Sequence, residues 1–160
     1  KANELISTEP KVKKKLKWLW EFFFFNYQYE DKSPGLYEEF GHWINLGKDI
    51  FETRWLAQHV KETLEKSHGL LSWERGLINI IDQLAKSAPL DTIEIYRLYF
   101  VKGMIENKQK QGFIYHEQSW VEGLEVLHNE PQTKEDTEKL VSNLLEKGGK
   151  PFWKFKKAVE

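Results

Sequence analysis

The chain has 160 residues, 40 % of them apolar and 14 % aromatic, with seven tryptophans, no cysteine and a net charge of −1. That length supports one domain with a core of its own, and the bulky side chains exclude a disordered chain. The lack of cysteine excludes disulfides, a thiolate nucleophile and thiolate metal ligation.

The charge is unevenly spread. Residues 1–20 carry six lysines against Glu4 and Glu9, residues 147–160 carry five lysines against Glu160, and the body between is acidic by nine charges. No apolar stretch precedes the first lysines, so no signal peptide is expected and the cytoplasm is the expected compartment. The first residue is Lys1, which leads us to expect a piece of a larger chain, or a processed or trimmed one, and a single all-helical domain is expected over 1–160. The longest apolar run, Trp18 to Phe25, is interrupted by Glu21. A membrane span needs about 20 residues, so membrane insertion is not expected.

In chain order, Pro10 suits a helix start, where its missing N–H costs nothing. The helix it opens runs to about Tyr29 and carries two apolar stripes at helical spacing. Leu16, Leu19, Trp20, Phe23 and Tyr27 form one, and Trp18, Phe22, Phe25 and Tyr29 the other. The four phenylalanines at 22–25 advance by about 100° each, so their rings sweep nearly the whole circumference. A strand over FFFFNYQY is the competing assignment, because aromatics favour strands. After a turn at 31–35, a helix with Leu36, Phe40, Trp43 and Ile44 closes at Gly47. Asp49 is the expected cap of a helix over 50–66, ended by Gly69. Ser72 is the expected cap of the next, which carries Trp73, Leu77, Ile80, Ile81 and Leu84. Beyond Pro89, Asp91 to Glu94 reads as a capping box opening a helix with Ile93, Tyr96, Phe100 and Met104. A further helix is expected over 117–128, with Trp120, Leu124 and Leu127 inward. Thr133 starts one with Leu140, Val141, Leu144 and Leu145, and Gly148 ends it as a C′ glycine. Pro151 opens the last, with Phe152, Phe155 and Val159. The fold class expected is all-α, a multi-helix bundle or short α-solenoid of about seven or eight helices.

Groups for chemistry are scattered. The five histidines show no metal-binding pair at i, i+4, and in HEQSW the second histidine of a zincin helix falls at Trp120. No nucleophile elbow and no phosphate loop are present. An enzymatic site would have to be assembled from separate helices, with His42, His59 and Glu62 the residues to watch. No cofactor or metal is expected, and the chain reads as a non-enzyme. The rival partner is nucleic acid. Lys13, Lys14 and Lys17 near one end, and Lys154, Lys156 and Lys157 beside aromatics near the other, suit phosphate gripping with base stacking. Scarce arginine and an acidic body weaken that reading.

Three stretches, WLWEFFFFNYQ, SPGLYEEFGHWINLGKDIF and LLEKGGKPFWKFKKAVE, resemble the C-terminal helical region of large bacterial multidomain proteins of the antiviral signalling type. In those proteins an NTPase or sirtuin-like effector domain is followed by a long helical array. The resemblance implies sensing of a phage component or self-assembly, without catalysis by this part. The residues themselves point the same way, to a helical scaffold whose partner is a protein. Trp18, Phe22, Phe24 and Phe25 are the expected contact residues.

Overall fold

The computed structural model describes residues 10–26, 40–71, 74–106, 117–149 and 152–159. The regular elements are α1 Pro10–Asn26, α2 Phe40–Gly47, α3 Thr53–Lys66, α4 Arg75–Ile78, α5 Ile81–Ser87, α6 Pro89–Tyr96, a π-helical stretch Arg97–Glu106, α7 Glu117–Asn129, α8 Lys134–Glu146 and α9 Trp153–Val159. All are helical, so the all-α expectation holds, as a multi-helix bundle without strands among the described residues. Phe22–Phe25 lie within α1, which removes the strand alternative for them. Tyr27, Tyr29, the turn at 31–35, Leu36, Ser72, Trp73 and Pro151 lie outside the described residues.

Several boundaries differ from expectation. The cap of α3 is Glu52, not Asp49. The N–H groups of Ile50 and Phe51 both donate to the Gly47 carbonyl, at 3.0 and 2.8 Å. That turn uses up residues 48–51 and delivers Phe51 into the core. The helix expected from Ser72 onward is two helices, α4 and α5, broken at Ile80 (φ −127°). The break lets α4 lie on α2 while α5 turns to lie on α7. Asp91 does not cap α6, which starts two residues earlier with Pro89 at its first position. Proline's fixed φ suits that position, and Asp91 instead accepts an ion pair from Lys61 at 2.5 Å. At the end of α3 the left-handed C′ residue is His68 (φ 53°), one position before Gly69. The Gly69 N–H closes the motif on the Leu64 carbonyl at 2.7 Å, as a Schellman ending requires. Gly148 takes the C′ position of α8 as expected.

A regular α-helix was also expected through Phe100 and Met104, but beyond Tyr96 the turns widen to π geometry. Leu98, Tyr99 and Phe100 are buried in succession there, which a single apolar stripe does not allow. The α3–α4 loop presses on this stretch. A Cβ on Gly69 would stand 2.1 Å from the Leu98 carbonyl oxygen, and one on Gly103 would stand 2.2 Å from the Gly69 carbonyl oxygen. Only two glycines permit that approach.

The core is one connected cluster with an aromatic focus at each end. At one end Trp20 meets Trp43, Phe51 and Trp55 edge-on. At the other, Trp120 stacks on Tyr99 at 5.2 Å and meets Phe100 edge-on at 4.8 Å. The two buried tyrosines there are each satisfied. Tyr96 Oη donates to the Trp120 carbonyl at 2.7 Å, and Tyr99 Oη donates to the Glu74 carboxylate. Burial, and for Tyr99 the neighbouring Glu74, raise both phenols well above their ordinary range. Aliphatic residues such as Leu64, Leu77, Ile81 and Leu84 complete the cluster.

Candidate protein-interaction face

α1 is held to the bundle by one face. Residues advance about 100° each along it, so Lys13, Leu16, Lys17 and Trp20 share a side. Trp20 is fully buried. Its ring lies 5.6 Å from Trp55 and 6.4 Å from His59, both on α3. Trp55 and His59 stack on each other at 3.8 Å. The His59 Nδ1 donates to the Trp55 carbonyl at 2.9 Å, which turns Nε2 toward Glu21 of α1, 3.7 Å away. Lys13 and Lys17 both reach the Glu52 carboxylate at the start of α3, at 2.8 and 2.5 Å. Hydrogen bonds from Lys13, then Lys17, hold the Glu52 carboxyl at about 2. Lys17 also sits 4.9 Å over the Trp55 ring, a cation–π contact.

The opposite face carries Lys11, Lys14, Lys15, Trp18 and Phe22, all exposed. Trp18 is 58 % and Phe22 45 % exposed. Their rings stack at 5.1 Å with an interplanar angle of 25°, making a flat apolar plate one turn beyond the lysines. The side chains of Phe24 and Phe25 lie outside what the structure describes.

Of the lysines singled out for nucleic acid, Lys13 and Lys17 are turned inward to Glu52, while Lys14 is exposed. Lys154 and Lys156 are exposed on α9, and Lys156 lies 5.6 Å over the ring of the exposed Trp153. The Lys157 side chain is outside the described residues. The candidates for a catalytic site take ordinary places. His59 belongs to the α1 anchor, Glu62 accepts a hydrogen bond from Gln58 at 2.9 Å, and His42 is half-buried on α2. Among the described residues no group of three or more histidine, aspartate or glutamate side chains is arranged to hold a metal ion. Nor is any described helix long and apolar enough to cross a membrane.

Two features escaped sequence reasoning. Glu52 and His59 as anchors of α1 are invisible locally, because their partners lie on another helix. The second is a groove of 490 Å³ where α3, the π stretch and α8 meet, floored by Leu98, Val101 and Leu140. Its wall is braced by Arg97, which bonds Glu94 at 2.5 Å and Asp136 at 3.0 Å. No protein-family model, no curated protein and no solved structure matches the chain.

Proposed function

We propose that the chain is a non-catalytic helical scaffold and protein-interaction module, and that the outer face of α1 is its contact surface. The observation that carries this reading is the stacked and exposed Trp18–Phe22 pair on a helix whose other face is anchored by Trp20. Single exposed apolar residues are ordinary, but contiguous aromatic surface marks contact sites. Tryptophan and other aromatics dominate the energy of protein interfaces. The three lysines on the same face match a partner surface with an apolar centre and an acidic margin. Following the sequence resemblance, the module serves target sensing or assembly in a larger cytoplasmic defence protein of bacteria.

Nucleic acid is the alternative this reading displaces, and a salt titration separates them. Phosphate contacts release counterions, so true nucleic-acid affinity falls steeply with salt. The expected outcome with a single-stranded oligonucleotide is no binding that depends on Lys14 or Lys154. Binding that weakens steeply with salt and disappears in Lys14→Glu and Lys154→Glu would overturn the proposal.

A further inference from the structure

We infer that Trp120, Tyr99 and Glu74 form a radical relay: an oxidised Trp120 indole takes an electron from Tyr99 while the phenol proton passes to Glu74. The co-reactant is a one-electron oxidant of the oxygen-radical class, which removes the first electron from the indole. The sequence has seven tryptophans but no cysteine and one methionine. The sulfur groups that ordinarily take up oxidising equivalents are therefore scarce, and the aromatic core must dispose of them itself.

The geometry fixes the direction of transfer. Trp120 and Tyr99 are both buried, and their rings stack at 5.2 Å with an interplanar angle of 18°, so an electron crosses by direct contact. The Trp120 indole N–H has no acceptor among the described residues. Oxidised Trp120 therefore keeps that proton and holds a positive charge in an apolar core, which is costly. Tyr99 is placed differently, because its Oη donates to the Glu74 carboxylate. One electron moves from Tyr99 to Trp120 and restores the neutral indole. The Tyr99 Oη proton moves to Glu74, leaving a neutral tyrosyl radical beside a neutral carboxylic acid. The charge thus leaves the core and is cancelled at Glu74, which is half-buried. Burial, then the Glu74 carboxylate, raise the Tyr99 phenol well above its ordinary range, so its proton leaves only together with the electron. Tyr96 is the internal contrast. It meets Trp120 edge-on at 5.3 Å, but its Oη donates to the Trp120 carbonyl, and an amide carbonyl is too weak a base to keep a proton. The relay is separate from the α1 face and stands whether or not that face binds a protein.

The test is ultraviolet flash photolysis of the whole chain, since photoionisation reaches buried indoles. After the flash, a phase is expected in which tryptophanyl absorption decays as tyrosyl absorption grows, at a rate independent of protein concentration. Tyr99→Phe is expected to abolish that phase, and Tyr96→Phe to keep it. Glu74→Gln removes the proton acceptor and is expected to slow the phase about a hundredfold. Under prolonged illumination in air, peptide mass spectrometry is expected to find more oxidised Trp120 in Tyr99→Phe and Glu74→Gln than in the native chain or Tyr96→Phe. Tyr96→Phe also loses a buried hydroxyl bond, so it controls for loosened packing, and the melting of all three variants is measured alongside. A transfer phase that survives Tyr99→Phe, equal losses in Tyr99→Phe and Tyr96→Phe, or an unchanged rate in Glu74→Gln overturns the inference.

Discussion

Trp18 and Trp20 stand two residues apart on one helix and meet opposite fates. The first is mostly exposed, the second fully buried in an aromatic box. Truncating Trp20 leaves a cavity among Trp43, Phe51 and Trp55, so Trp20→Ala is expected to cost about 3–5 kcal/mol in urea unfolding. Trp18→Ala is expected to change stability by no more than about 0.5 kcal/mol. Equal losses at the two positions would mean that Trp18 is structural. Glu52 makes a pH prediction. Its carboxyl titrates at about 2 in the folded chain against an ordinary 4.5, so the folded state binds that proton more weakly than the unfolded one. Its stabilisation is therefore complete above about 4.5 and is lost as pH falls toward about 2. Glu52 is more than half exposed, so screening holds the effect below about 1 kcal/mol. The stability difference between the native chain and Glu52→Gln is expected to shrink across that window, and a difference that stays constant through it would refute the assignment. That Leu16 and Trp20 share one side of α1 and Trp18 and Phe22 another was legible from helical spacing, because periodicity reports which residues share a side. Which side faces the bundle was not legible, since that depends on Glu52, Trp55 and His59 from α3.

At the scale of elements, the α-helices of the C-terminal half were the most readable. α7 and α8 follow the spacing of Trp120, Leu124, Leu127 and of Leu140, Val141, Leu144 closely, and Gly148 ends α8 where a C′ glycine should. The widening after Tyr96 was hidden, because Ile93, Tyr96 and Phe100 fit a regular helix equally well. Its cause is tertiary, lying in the loop after α3 and the Gly69–Gly103 contact. Gly69→Ala is therefore expected to cost about 2–4 kcal/mol, through collision with the Leu98 carbonyl and a left-handed φ of 82°, a sum of overpacking and backbone strain. Denaturant midpoints measure it, and a loss under about 1 kcal/mol would show that the loop and the π stretch yield easily. Tyr99→Phe would strip the Glu74 carboxylate of its phenol donor. The expected cost is about 1–3 kcal/mol, read from thermal unfolding, and a neutral outcome would show that water satisfies Glu74 instead.

For the molecule as a whole, charge asymmetry was evident in the sequence, but its use was not. The acidic body touches the basic N-terminal helix directly through Glu52, which pairs with Lys13 and Lys17, so part of the positive end is spent on docking α1 rather than offered to a ligand. What α1 still presents is three lysines and an aromatic plate. The central claim, that the outer face of α1 meets a protein, is tested most directly by replacing Trp18 with the photoreactive aromatic benzoylphenylalanine in the cells that make the protein. Leu90, equally exposed on α6 at 57 %, takes the same replacement as the control for mere exposure. The account predicts a discrete protein adduct from position 18, lost when Phe22→Ser or the pair Lys14→Glu and Lys15→Glu is added, and absent from position 90. The same adducts from both positions, or a position-18 adduct removed by nuclease, would contradict it.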